Sequence, residues 1–317
     1  VALLDVILTY DCNLACDYCT VSEEMRGRSL SAEAVVEAMR RGRTAGYDAV
    51  SFGGGEPTIR RDLPGLVRTA RDLGYREIKV QSNGLLFAPE RNVARLVAAG
   101  VTLFHVSVRT HEEEAFDRMV RRPGAWPLMV KGLDNLVARG VDPRADLIVT
   151  SETYRRLPAA VRWLRGHCVR RVNFWFVSLT DANRDNVASM PRMTEATPFL
   201  AEALAVARAE GMEARSLHVP RCLLGPDAGH AFDPGSDRVT VLTPDSTFEL
   251  SDSRIFGRTH VPACEGCTFR GLCPGLRPDY LARYGDGEIV AARAGQPPAP
   301  VLAASPVQGG SGASSIS

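Results

Sequence analysis

The chain has 317 residues, 45% of them hydrophobic, and its 38 basic and 37 acidic side chains leave a net charge of +1. That length accommodates one large α/β domain with an appendage, or two ordinary domains. No apolar run approaches the roughly 18 residues that suggest a membrane span, no signal peptide opens the chain, and the small net charge gives no electrostatic case for a nucleic acid or a membrane surface as partner.

Residues 3–8 are apolar apart from Asp5 and predict a buried strand of the parallel-sheet kind. Cys12, Cys16 and Cys19 follow at once, spaced C-x3-C-x2-C. Three thiolates so close in sequence suit a soft metal or an iron–sulfur cluster. A cubane cluster has one iron more than this triad can ligate. An open metal position is where a small molecule binds and reacts, as at catalytic zinc. The alternatives are a zinc knuckle or part of a disulfide framework, but the next histidine in sequence is His105.

Ser31 is a plausible N-cap for a helix over 32–45, stopped by Gly46. A strand over 49–52 runs into Gly53-Gly54-Gly55-Glu56-Pro57. Glycines there let strand-edge carbonyls approach a ligand, a carboxylate suits an ammonium, and proline fixes the turn. The later glycine of a dinucleotide fingerprint is absent. A helix over 63–73 and a strand over 77–81 lead to the polar turn Gln81-Ser82-Asn83-Gly84. A helix over 90–99 precedes a strand over 102–108, which ends on Ser107 and Arg109. That guanidinium is expected to pair an anionic ligand or to bridge to Glu112, Glu113 or Glu114. A helix over 126–138, a strand over 145–149 followed by Thr150, a helix over 157–164, a strand over 171–177 and a helix over 195–210 complete the series.

Such alternation argues for parallel strands with right-handed crossovers. Six βα units are short of a full barrel. The expected fold is therefore α/β, a partial (β/α)6 barrel with a small C-terminal cysteine-rich β-hairpin and helix extension. Ligands bind at the carboxyl ends of such strands. The cysteine loop, the glycine turn, Asn83, Ser107, Arg109 and Thr150 all fall on that rim.

After Gly211 the pattern changes. Residues 239–242 and 247–250 flank Thr243-Pro244-Asp245-Ser246 and predict a hairpin. Cys264, Cys267 and Cys273 follow, with Cys222 upstream. Four thiolates can close a second iron–sulfur cluster or a structural zinc site, with His260 as a substitute ligand. A short helix near 277–283 precedes a Pro-, Ala-, Ser- and Gly-rich tail expected to be disordered. The expected boundaries are a barrel over 1–213, an auxiliary domain over 214–290 and the tail over 291–317. Cys168 reads as a buried small hydrophobe or, more sharply, as a hydrogen-atom donor. Two tight cysteine groups without a secretion signal favour metal sites in a reducing cytoplasm.

The triad, with aromatic Tyr18 before its last cysteine, and the Gly-Gly-Glu-Pro turn resemble the signatures of the radical S-adenosylmethionine (SAM) superfamily. The resemblance implies a [4Fe–4S] cluster on Cys12, Cys16 and Cys19 that chelates SAM. Reductive cleavage then gives a 5′-deoxyadenosyl radical, which takes a hydrogen atom from the substrate. Gly54, Gly55, Glu56 and Pro57 would receive the SAM amino group, and Tyr18, Asn83, Ser107, Arg109 and Thr150 are further cofactor-binding candidates. The C-terminal cysteines resemble the SPASM and shorter twitch domains, which implies an auxiliary [4Fe–4S] cluster on Cys222, Cys264, Cys267 and Cys273. The expected function is substrate oxidation, by dehydrogenation or cross-linking, in the biosynthesis of a natural product or modified peptide. Electrons would come from a flavodoxin or ferredoxin. Epimerisation with Cys168 as donor is one alternative; a non-enzymatic zinc or iron–sulfur protein is another. Relatives that modify peptides often carry a leader-binding domain before the first strand, and a sequence that runs straight into that strand mildly favours a small-molecule substrate or a separate leader-binding partner.

Overall fold

Hydrophobic strands alternating with amphipathic helices build a single ten-stranded sheet, ordered β10-β9-β1-β2-β3-β4-β5-β6-β7-β8. The computed structural model describes residues 2–232, 237–253 and 259–293. Most of the expected tail, 294–317, lies outside the described residues. The strands are β1 (Ala2–Thr9), β2 (Ala49–Gly54), β3 (Glu77–Ser82), β4 (Leu103–Arg109), β5 (Arg144–Val149), β6 (Arg171–Phe176), β7 (Glu213–Leu217), β8 (Ala231–Phe232), β9 (Arg238–Leu242) and β10 (Thr247–Glu249). From β1 to β8 every neighbouring pair is parallel. The helices are α1 (Ala32–Thr44), α2 (Leu63–Asp72), α3 (Glu90–Ala99), α4 (Glu113–Val120), α5 (Ala125–Ala138), α6 (Leu157–Gly166), α7 (Met193–Ala209), α8 (Arg221–Leu224) and α9 (Pro278–Tyr284).

Alternation along each strand separates the two faces of the sheet. Leu4, Val6 and Leu8 of β1, Val50 and Phe52 of β2, and Ile78 and Val80 of β3 are buried in the core beside α1 to α3 residues such as Val35, Met39, Leu66 and Val93. The alternate positions Asp5, Ile7, Lys79 and Gln81 of β1 and β3 are only half-buried and lie on the other face. The Ser31 hydroxyl accepts from the Ala34 amide at 3.1 Å, the N-cap that the sequence predicts for α1. No described helix is long and apolar enough to cross a membrane.

The structure departs from the expected layout in three places. A seventh strand, β7, follows α7, so the parallel run is longer than six units. The hairpin of β9 and β10 is not an appendage: β9 pairs in parallel with β1 and extends the main sheet on that edge. Sheet membership therefore crosses the expected boundary at residue 213. The acidic segment expected only to supply partners for Arg109 forms α4, because Ala115, Phe116, Met119 and Val120 give it one buried face.

The C-terminal segment is tied down at two points. Arg277 donates to the backbone carbonyls of Phe176 and Val177 at the carboxyl end of β6 and pairs with Asp279, both side chains being under a tenth exposed. On α9, Tyr280 Oη accepts from the Met193 amide at 2.8 Å and Tyr284 Oη donates to the Met190 carbonyl at 2.7 Å.

Candidate functional site

The loop after β1 carries Cys12, Cys16 and Cys19 as free, half-buried thiols. Neighbouring elements brace its backbone from several sides. Arg26 donates to the carbonyls of Cys12 at 3.2 Å and Leu14 at 3.1 Å, and Arg122 to that of Asn13 at 3.1 Å. The Ala15 and Asp17 amides donate to the Val120 and Met119 carbonyls at the end of α4. From the far edge, Tyr10 Oη donates to Asp245 at 3.1 Å, which holds the β9–β10 turn against the same loop. Burial pushes the Cys12 thiol up to about 11 and also raises that of Cys19. None of the three arginine contacts was legible in the sequence, because Arg26 and Arg122 act on backbone carbonyls and leave no spacing rule.

The glycine turn after β2 lies directly against this loop. The Gly55 amide donates to the Thr9 carbonyl at 2.7 Å and the Glu56 amide to the Asp11 carbonyl at 2.8 Å. A Cβ on Gly55 would sit 2.3 Å from the Asp11 carbonyl oxygen and 2.5 Å from that of Tyr10. One on Gly54, where φ is +122°, would sit 2.4 Å from the Thr9 carbonyl oxygen. These two glycines therefore make room for the cysteine loop. Gly53 is the position where an added Cβ meets nothing within 4 Å, and it was not singled out from the sequence.

Glu56 is fully buried. Its carboxylate accepts from the Thr58 amide at 3.0 Å, the Thr58 hydroxyl, the Ser82 hydroxyl at 2.8 Å and the Asn83 amide at 2.7 Å. Burial raises its pKa, against those hydrogen bonds. The carboxylate thus joins the β2 turn to the β3 turn, with three of these bonds on Oε1 and one on Oε2. Pro57 opens the 3-10 turn Pro57–Ile59 that sets this geometry. Asn83 in turn reaches the cysteine loop: its Nδ2 donates to Asn13 Oδ1 at 2.7 Å and lies 3.9 Å from Cys12 Sγ.

A register shift in β4 between Ser107 and Arg109 re-aims the Arg109 side chain. Arg109 does not bridge to Glu112, which pairs with Arg156 instead. Its Nε donates to Tyr18 Oη, its Nη1 to the Ser107 carbonyl, and its Nη2 lies 3.6 Å from Cys16 Sγ. Ser107 is half-buried and contributes its carbonyl here. Thr150 is buried and knotted to Thr153, with hydroxyl to hydroxyl at 3.1 Å, so it closes the turn after β5.

Cys168 is a correction on both of its expected readings. It is exposed, so it is no core hydrophobe, and it lies in the turn between α6 and β6. That is the amino end of the strand, opposite the rim that carries the cysteine loop, which removes it as a hydrogen donor to a substrate there. His105 is buried, with Nδ1 3.5 Å from Asp146 Oδ2 across β4 and β5.

In the C-terminal region Cys222, Cys264, Cys267 and Cys273 line one small cavity with His260, Phe269 and Leu276. Burial, together with the charges of the other three thiols, pushes Cys222 up to about 12. His260 Nε2 is engaged with the Cys273 carbonyl at 3.0 Å. The donor sets fit the expected groups. The first loop offers three thiols and the second cavity four, and thiolates are the ligands of iron–sulfur clusters. Among the described residues no three His, Cys, Asp or Glu side chains converge as ligands of one ion would. A cubane takes one thiolate per iron, and so spreads its sulfurs over a wider footprint.

Comparison with known proteins agrees with this geometry. The chain is 32% identical over 161 residues to the probable GTP 3′,8-cyclase of Methanopyrus kandleri, a match covering 50% of this chain and 51% of that protein. The chain thus spans about half the length of that relative. Among solved structures, Streptococcus suis SuiB bound to S-adenosylmethionine superposes with a TM-score of 0.67 at 13% identity, covering 89% of this chain and 74% of that one. Native anSMEcpe with bound AdoMet gives 0.67 at 16% identity, covering 92% and 93%. At such identities these two likenesses show the fold. The model of the radical SAM superfamily matches residues 6–164, half of the chain and all of the rim from the cysteine loop to Thr150, and the chain belongs to that superfamily.

Proposed function

We propose that this radical SAM enzyme oxidises a natural-product intermediate or a peptide, with an auxiliary [4Fe–4S] cluster on Cys222, Cys264, Cys267 and Cys273 taking up an electron. The observation that carries the reading is the convergence of those four cysteines, spread over 52 residues of sequence, on one cavity. Cys12, Cys16 and Cys19 would hold the first cluster, and SAM bound to it would supply the radical chemistry that takes a hydrogen atom from the substrate.

The chain's own residues set the stage for that chemistry. Arg26, Arg122 and the end of α4 hold the cysteine loop in one conformation. Glu56 and Asn83 lock the β2 and β3 turns to it, leaving the open space at Gly53 for the cofactor's approach. Arg277 fixes the auxiliary segment to the carboxyl end of β6. Cys168 lies at the opposite end of the sheet from the cysteine loop, which favours oxidation over epimerisation. A peptide substrate draws support from SuiB, which was solved bound to the precursor peptide SuiA. We place the enzyme in the cytoplasm, with a flavodoxin or ferredoxin as electron donor.

A second reading, cyclisation of GTP, draws on the M. kandleri relative. Both readings expect about eight irons per chain after anaerobic reconstitution, four for each cluster. Cys222→Ala is expected to lose about half of that iron and to keep releasing 5′-deoxyadenosine. Full iron in this variant removes Cys222 from the ligand set. Incubation with GTP, followed by mass spectrometry of the nucleotide pool, separates the readings: conversion of GTP favours cyclisation, and unchanged GTP favours the oxidase.

A further inference from the structure

Arg109 is 8% exposed, yet its guanidinium meets mostly neutral acceptors. Nε goes to a phenol, Nη1 to a backbone carbonyl and Nη2 to the Cys16 sulfur at 3.6 Å, while the plane lies over the Phe116 ring at 5.5 Å. Among the described residues it shares no ion pair with a carboxylate; Glu112, the nearest acidic residue in sequence, is paired with Arg156 at 3.2 Å. A buried cation without a counter-ion is costly. The backbone adds to that cost, because Arg109 has a φ of +66°, in the left-handed region that long side chains rarely adopt. A bulge in β4 and a left-handed residue together aim one arginine at one thiol.

We infer that Arg109 is the counter-ion of the SAM-binding cluster, held against Cys16 by Tyr18 and the Ser107 carbonyl. The inference rests on the radical SAM assignment and deepens it. Loading replaces neutral thiols with thiolates and so supplies the missing negative charge. Each electron added to the cluster increases that charge beside a fixed cation in a poorly solvated site, and Coulomb attraction is strong there. Arg109 therefore favours the reduced state and makes the cluster easier to reduce. It is a positioning residue for the cluster and not a partner for the SAM carboxylate or for the acidic residues of α4. Tyr18 acquires a role of its own, since its hydroxyl fixes the guanidinium plane.

The test compares wild type, R109M, R109Q and R109K after anaerobic reconstitution, by iron content and by potentiometric titration of the EPR signal that responds to SAM. The expected result is a more negative midpoint in R109M and R109Q at unchanged iron, with R109K close to wild type. Loss of that cluster in both neutral variants with retention in R109K also supports the assignment, because loading then requires the charge. A wild-type midpoint in an iron-complete R109M overturns it. So does an unchanged midpoint with weakened SAM binding, which would give Arg109 to the cofactor carboxylate. Loss of the cluster in all three variants overturns it as well, since shape alone would then account for the effect. A wild-type protein without any SAM-responsive signal is a separate outcome and strikes at the assignment to the family's chemistry.

Discussion

Replacing Arg277 with methionine is expected to cost about 3–5 kcal/mol, the penalty for breaking a buried ion pair from one side. The side chain donates to the Phe176 carbonyl at 3.1 Å, to the Val177 carbonyl and to both Asp279 oxygens. Its removal strands the Asp279 carboxylate, which is 8% exposed and whose remaining described partner is the Leu179 amide at 2.8 Å. The loss is local in consequence. Arg277 lies just past Cys273 and fastens the auxiliary cysteines to β6, while β1 to β7 have their own core. Thermal melting followed by two probes should show the C-terminal segment releasing first, and reconstituted R277M should lack the auxiliary irons and keep the SAM-responsive cluster. The paired variant R277M/D279L should recover much of the stability, because removing both charges of a buried pair costs far less than removing one. Equal losses in the single and paired variants would show that the ion pair is not what holds the segment.

Gly55→Ala is expected to displace the cysteine loop. Its Cβ would meet two backbone carbonyl oxygens at 2.3 and 2.5 Å, and neither Tyr10 nor Asp11 has a flexible end at that point that could move aside. Overpacking of this kind costs about 1–3 kcal/mol, and more where backbone must shift. Asp11 is bonded to the Glu56 amide and precedes Cys12 directly, so the shift reaches the first cluster ligand. Iron loading at the N-terminal site should fall together with the melting temperature. Gly53→Ala is the control: its Cβ enters open space, and stability should hold. If both alanine variants load and melt alike, close packing of the turn on the loop is not what limits loading.

Much of the site was legible from chemistry that leaves a spacing in sequence. Thiols three and four apart, a glycine run ending in Glu-Pro and the strand–helix alternation all follow from local constraints, and the cysteine loop falls where alternation places it. The contacts that cross the sheet were not legible. Glu56 reads in sequence as a carboxylate beside a ligand site, but Ser82 and Asn83 at the end of the next strand already donate to it. Arg109 reads as a rim cation for an anionic ligand, and only the bulge in β4 shows that it turns to Cys16. Cys168 was misread because a residue between a helix and a strand can be buried or exposed, and sequence alone does not say which end of the barrel it occupies. The hairpin was found by its turn chemistry, but its partner is β1, more than 200 residues earlier in the chain. Pairings of that separation leave no periodic signal.

The most direct test of the central claim is the EPR spectrum of the anaerobically reconstituted, reduced protein with and without SAM. The account predicts a [4Fe–4S] signal that depends on Cys12, Cys16 and Cys19, changes when SAM is added, and is accompanied by release of 5′-deoxyadenosine. A reduced cluster whose spectrum SAM leaves untouched, or a protein that holds no cluster on those three cysteines, would contradict it.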